Sequence, residues 1–420
     1  MSFKWSKNVD PTPLLKSFYS RVEIVDRAVH IVDIRAYADA ALISSMLGGS
    51  HPDGEPSTKN ELVWEALISS AGDHTKERLL AELNLATVAR KKRGTKNFVL
   101  VTTLSAKAST LPEQMTIVEL SAQFSSTLPE NYCLERDRIA AEQLRFGSIK
   151  ADNEDYCYVR IEVDANDVAE AFTKASWELD ILRGMICLLS NPGFEKSLIG
   201  TEHKPINVTR KGSFHTMHDP DGNAASEIIW YEPNYERRTV TAWKEPDKLM
   251  SVTQSALETL RARPYKGRLA LAIVRFARAF DEVDPDTAFV KGWSAFESIL
   301  SDSQADYPQL IKRCVFLFQD REYHAAAIKQ LAEHRNASVH RVSDASLSRT
   351  FCYLLQNYFS KALSFHLFHY HHFDNFQEAL SFLSGPYTRS DLYKSAARAE
   401  LAKKFLKIDF KNDAEEVHDE

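Results

Sequence analysis

The chain has 420 residues, 44% of them hydrophobic and 26% charged, with a formal net charge of −6. That composition excludes a disordered tail and a membrane protein, and at about 150 residues per domain it implies two or three domains with a substantial core. The most apolar stretch, Leu179 to Leu189, is interrupted by Arg183, so nothing reaches the ~18 apolar residues of a membrane span. The opening Met1-to-Lys7 segment has no hydrophobic signal region, and five scattered cysteines form no Cys-x-x-Cys pair. Both features favour a reducing compartment and a cytoplasmic location.

Charge is uneven along the chain. Residues 251–410 carry 21 Lys and Arg against 17 Asp and Glu, a balance of +4, and the last ten residues carry −4. The first 250 residues therefore hold the whole −6. A positive C-terminal half is compatible with a phosphate-bearing ligand.

In chain order, β-type runs occur at Val22–Ile34, Phe98–Leu104, Met115–Phe124, Tyr156–Val163 and Thr239–Trp243. Turn-rich loops at His51–Lys59 and His218–Asn223 punctuate them, and a helical pattern spans Asp167 to Leu189. Eleven of the fourteen glycines precede residue 250, which leaves a second half poor in helix breakers. Leu269, Ile273, Phe276 and Phe280 form one helical stripe. Asp284 and Pro285 start the next helix, with the stripe Phe289, Trp293, Phe296 and Leu300. Pro308 opens a third, carrying Leu310, Ile311, Cys314, Val315 and Phe318. A fourth runs from about Glu322 through Ile328, Leu331 and Arg335 towards His340, and a fifth from Ser343 or Ser346 through Phe365. The expected fold class is an α+β N-terminal region (1–247) followed by an all-α helical bundle (248–410), with an acidic tail (411–420).

The candidate chemistry lies in Arg335-Asn336-Ala337-Ser338-Val339-His340. A bare Arg-x4-His match means little: 26 Arg and 14 His should produce about one by accident, and Arg210 to His215 is a second. Only the first has Asn after Arg and sits on an amphipathic helix among similar helices. An imidazole with a near-neutral pKa exchanges protons at pH 7, and a guanidinium forks two donors onto phosphate oxygens. Together they suit RNA cleavage by attack of the 2′-hydroxyl on phosphorus, with no metal or other cofactor. Asn336 and His340 share a helix face, whereas Arg335 and His340 are ~140° apart and ~7.5 Å along the axis. Either the helix ends or distorts between them, or a second subunit completes the site.

Over roughly residues 250–372 the chain resembles the HEPN superfamily, specifically its Apea-like branch found in bacterial defence proteins. The resemblance rests on the Arg-Asn-x-x-x-His motif, on Phe289-Val-Lys-Gly-Trp-Ser-Ala-Phe-Glu297-Ser-Ile-Leu upstream, and on the basic Pro308-to-Cys314 segment between them. It implies a metal-independent endoribonuclease that leaves a 2′,3′-cyclic phosphate and a 5′-hydroxyl, working as a homodimer whose two motifs face each other. Its expected target is RNA (tRNA or mRNA), its setting anti-phage defence by abortive infection, and a phage-derived or nucleotide activator is compatible with it. Catalytic roles would fall to Arg335, Asn336 and His340. Glu297, beside Trp293 on the apolar side, is expected to pair with and hold Arg335. Lys312, Arg313 and Arg341 are candidates to follow RNA phosphates. The alternative is a non-catalytic bundle that binds nucleotide, RNA or a partner protein. The His366-Leu-Phe-His369-Tyr-His371-His372 string reads as an aromatic helix end rather than a metal site, and Arg90 to Arg93 with Lys96 as a solvated connection.

Overall fold

The computed structural model describes residues 3–25, 28–48, 56–92, 94–147, 149–191, 193, 205–232, 234–302, 306–340, 345–368 and 373–406. Its N-terminal layer runs β1 (Lys4–Trp5), α1 (Thr12–Tyr19), β2 (Val22–Val25), β3 (Ala28–Ile31), α2 (Ala36–Ser45), β4 (Leu47–Gly48), α3 (Pro56–Ser69) and α4 (Lys76–Lys92). Phe18, Ile43, Leu62, Leu67 and Leu83 close a core of their own here, separate from the main one. The Val22–Ile34 run is a β2–β3 hairpin in that layer rather than part of a larger sheet. Arg90, at the end of α4, is 7% exposed and meets Glu61 at 3.2 Å, Asp167 at 2.7 Å and Glu170 at 3.0 Å. It therefore ties this layer to the next, and the solvated-connection reading is corrected for that residue.

Next come β5 (Lys96–Leu104), β6 (Gln114–Thr116), β7 (Ser121–Ser125), α5 (Glu130–Arg145), β8 (Cys157–Ala165), α6 (Val168–Ser190), β9 (Phe214–His218) and β10 (Trp230–Tyr231). Their strands pair antiparallel in the order β10-β9-β5-β8-β7-β6. Alternation sends Cys157, Val159, Ile161, Val163 and Ala165 of β8 into the main core. Val99 and Val101 point the other way, towards Tyr132 of α5, so the centre of the sheet is covered on both faces. The strand reading changes in three places: the Met115–Phe124 run is two strands, β6 and β7, paired antiparallel. Thr239–Trp243 forms no strand and carries only an isolated bridge, Thr241 to Ala106. Strand β9, Phe-His-Thr-Met-His, is buried throughout although its alternation lacks an apolar signature.

Helices α7 (Pro246–Ala262), α8 (Lys266–Ala279), α9 (Pro285–Leu300), α10 (Tyr307–Val315), α11 (Arg321–His340), α12 (Ala345–Phe368), α13 (Phe376–Leu383) and α14 (Arg389–Leu406) complete the chain. The observed order is thus an α+β region followed by helices. One apolar cluster nevertheless runs from Leu100 of the sheet to Leu383 of α13. Helix α6 makes this continuity, packing on β5 and β8 and also on α7 and α8. No helix among the described residues is long and apolar enough to cross a membrane.

A buried ion network crosses the same seam. Arg183 of α6, 0% exposed, meets Asp180 at 2.9 Å and forks onto Asp281 at 2.7 and 3.0 Å. Arg278 reaches Asp180 at 2.7 Å and Lys211 approaches it at 3.4 Å. Burial works to raise the Asp180 pKa, but Lys211, Arg183 and Arg278 outweigh it and hold the carboxyl ionised. Beside the network, Gly184 lets α6 approach α8: a Cβ there would lie 2.8 Å from Ile273 Cγ2 and 3.2 Å from Ala277 Cβ.

Two stability outcomes are expected from denaturant melts. Asp180→Asn, which strands buried cations, should destabilise by about 3–5 kcal/mol. Gly184→Ala should destabilise by about 1–3 kcal/mol through overpacking, whereas Gly267→Ala, with nothing within 4 Å of its added Cβ, should be neutral or stabilising. Equal effects of the two glycine variants would contradict the close approach of α6 and α8.

Candidate functional site

Asp284 caps α9 by accepting from the Thr287 amide at 2.8 Å, and Pro285 occupies the first turn, as their order in the sequence implies. The buried face of α9 then places Phe289, Trp293, Phe296 and Leu300 in the core. Glu297 follows Trp293 by one turn and is half-buried. Helix α10 is capped by Asp306, which accepts from the Gln309 amide at 3.2 Å, and this sets Tyr307 at its start. The Tyr307 ring stands edge-on to Trp293, centroids 6.1 Å apart.

Tyr307 is the hub of the site. Its hydroxyl donates to Asn336 Oδ1 at 3.1 Å, and Arg335 Nη1 donates to the same oxygen at 3.3 Å. Burial raises the phenol pKa, with the Arg335 charge opposing and Glu297 reinforcing that shift, so both charges act on one ring. Around it three buried polar atoms have no hydrogen-bond partner: Trp293 Nε1, Glu297 Oε1 and Arg335 Nε. The expected Glu297–Arg335 ion pair is not formed: among the described residues no carboxylate lies within the 4.0 Å of an ion pair to Arg335. Its half-buried guanidinium is held instead by the Asn336 carbonyl. An unpaired cation partly out of water is stabilised by an anion that enters from solution.

Helix α11 continues without a break through Arg335, Asn336 and His340. The distortion that could have brought Arg335 beside His340 is therefore absent, and their Cα positions stay ~140° apart around the axis. The His340 side chain and all of Arg341 lie outside the described residues. With its side-chain carbonyl engaged, exposed Asn336 keeps its amide N–H groups for a further acceptor.

The basic candidates separate. Lys312 is exposed, but Arg313 is 9% exposed and donates to the Leu300 carbonyl at 2.7 Å and to Ser384 Oγ at 2.9 Å. Arg313 caps the end of α9 and joins α10 to α13, so its assignment as a surface cation for RNA is corrected. A groove of about 490 Å³ between α8 and α9 is lined by Arg268, Arg275, Ser294, Glu297, Ser298 and Asp302. Tyr307, Arg268 and Arg275 had not been singled out from the sequence. The position of Tyr307 between a capping Asp306 and Pro308 was the available signal; the arginines gave none, because their helix carries several.

His366 is 1% exposed, its Nε2 lying 2.8 Å from the Ile299 carbonyl and its Nδ1 3.3 Å from the Tyr265 hydroxyl. It is a packed histidine of α12, and His369, His371 and His372 lie outside the described residues. The discounted Arg210-to-His215 segment also has a structural use. His215 Nδ1 meets Thr102 Oγ1 at 2.6 Å and its Nε2 meets Glu232 at 3.0 Å, with Lys211 Nζ 2.5 Å from the same carboxylate.

Burial pushes the His366 pKa down to about 4, opposed by its bond to the Ile299 carbonyl. The unfolded chain takes up this proton near 6.5 and the folded chain does not, so the contribution is complete above 6.5 and is lost as pH falls through about 4. Unfolding free energy should drop by roughly 2–4 kcal/mol across that window, and His366→Gln should flatten the drop in chemical-denaturation curves. An unchanged pH slope in the variant would remove His366 as its source. Compared with known proteins, the chain matches no family model, no curated protein and no solved structure.

Proposed function

We propose that this chain is a metal-independent endoribonuclease of the HEPN type that cleaves tRNA or mRNA and acts in bacterial anti-phage defence by abortive infection. The observation that carries the reading is the gathering of Arg335, Asn336 and Glu297 around Tyr307, with Arg335 lacking a carboxylate partner among the described residues. In this reading Arg335 binds the scissile phosphate and stabilises charge on the pentacoordinate phosphorus. Asn336, fixed by Tyr307, donates to the ribose or phosphate. His340 moves the proton of the 2′-hydroxyl or of the leaving 5′-oxygen, and such proton transfer contributes about 10²–10⁴-fold. Arg268 and Arg275 of the α8–α9 groove attract the flanking phosphates.

The unbroken course of α11 supports a two-fold assembly. Since one straight helix keeps Arg335 and His340 apart, a second α11 facing the first supplies the missing partner of each, and the homodimer builds a composite site.

Purified protein incubated with total RNA and EDTA should produce 5′-hydroxyl ends. Arg335→Ala and His340→Ala should each lower the rate by at least about 100-fold with unchanged melting behaviour. Tyr307→Phe should reduce the rate less, by about 10-fold, because it loosens Asn336 without removing a reacting group. Equal cleavage by wild type and His340→Ala, or cleavage that needs magnesium, would refute the proposal. Intact RNA with Arg335-dependent binding would establish the non-catalytic alternative instead.

A further inference from the structure

A second cleft lies on the opposite flank of α9, where the sheet region meets the helices. Segment 205–210 and Arg238 form one wall; the α8–α9 turn and the first turns of α12 form the other. It holds about 220 Å³, and three arginines line it: Arg210, Arg238 and Arg349. Arg210 is 6% exposed, its Nε 3.4 Å from Asp281 and its Nη2 donating to the Phe280 carbonyl at 3.0 Å, whereas Arg238 leaves its Nε without a hydrogen bond. Arg349 is exposed and has no ion pair among the described residues.

The neighbouring carboxylates offset the charge of Arg210 and Arg238 and leave Arg349 without an ion pair among the described residues. Glu282 is bonded to Lys291 and to Asn234 Nδ2 at 3.0 Å. Asp281 is shared between Arg183 at 2.7 Å and Arg210 Nε at 3.4 Å, and Glu236 faces Arg238 at 2.5 Å while standing 3.8 Å from Arg210. The cleft thus keeps the fork of Arg349 and the Nε of Arg238 as uncommitted cationic donors beside the paired Arg210, and guanidinium forks recognise phosphate oxygens in pairs. Its remaining wall is mostly apolar, formed by Ile206, Phe280, Val283 and Tyr353, with Glu282, tied to Lys291 and Asn234, among them. A cationic end and an apolar end in one cleft match a ligand with a phosphate at one end and a flat, weakly polar ring at the other.

We infer that this cleft binds a nucleoside phosphate, with the phosphates on Arg238 and Arg349 against the buried Arg210 and the base along Ile206 and Phe280. Its occupancy reaches the motif helix. Ser348, next to Arg349 on α12, hydrogen-bonds Asp286 of α9, and His334 Nε2 of α11 lies 2.7 Å from Ser348 Oγ. His334 immediately precedes Arg335. A ligand drawing on Arg349 therefore holds the start of α12, and through it the register of α11.

The test needs no RNA, so its failure is distinguishable from failure of the ribonuclease reading. Isothermal titration of the full chain with ATP, GTP and pyrophosphate, together with hydrogen exchange over residues 321–340, is compared among wild type, Arg238→Ala and Arg349→Ala. A nucleotide should bind at sub-millimolar concentration, each variant should weaken it at least 10-fold, and exchange in α11 should slow on binding. No nucleotide binding up to millimolar concentration, or affinity unchanged in both variants, overturns the site. Pyrophosphate binding as tightly as either nucleotide overturns the nucleoside assignment, and binding without slowed exchange in α11 overturns the coupling.

Discussion

Arg183, wholly buried and forked onto Asp281, is the interaction on which the rest of the molecule depends. A charge in the interior is tolerable only when its partners are close and its donors are engaged, and removing one partner leaves the other exposed to the full desolvation penalty. Here the partners come from different layers: Asp180 and Arg183 from α6, Arg278 from the last turn of α8 and Asp281 from just beyond it, Lys211 from the segment before β9. The network therefore fixes where the helices sit against the sheet. Gly184 beside it lets α6 and α8 come together at a distance no other residue permits. Through α8 this placement extends to α9, and α9 carries Trp293 and Glu297.

The same seam gives α9 two polar flanks. One holds Glu297 beside Tyr307 and Arg335; the other faces the cleft of Arg210, Arg238 and Arg349. Ser348 and His334 link the second to the motif helix by hydrogen bonds, and the shared apolar core makes independent movement of these helices costly. In the proposed reading, a packed helix between the Arg335 site and the arginine cleft suits an enzyme whose activity is to be held in check.

Legibility in the sequence followed the strength of local signals. Helices α8 to α12 were readable because few glycines interrupt apolar stripes that recur every three or four residues, and Asp284-Pro285 announces its own cap, whereas α7, α13 and α14 were not read individually. The motif residues and their helix were likewise visible. Strand β9 was not, since a strand buried on both faces of a polar network carries histidine and threonine where an apolar pattern would be sought. The helices of the N-terminal layer were mostly missed, α4 among them: its mixed polar pattern hides a small separate core. Arg313 and Arg90 looked like surface charge, yet both are buried, because nothing local distinguishes an arginine that will find carbonyls or carboxylates across the fold.

By itself the sequence determined the order of α+β region and helices, the start of α9 and the helical setting of Arg335, Asn336 and His340. These are consequences of periodicity and capping, which act within a few residues. Only the tertiary structure decided that Glu297 and Arg335 meet around Tyr307 without pairing, that α11 stays unbroken through His340, and that three arginines distant in sequence line one cleft. Each of those depends on how the helices are set by a buried ion network and by close packing, and the partners in such contacts are selected by geometry across the whole chain rather than by their neighbours along it.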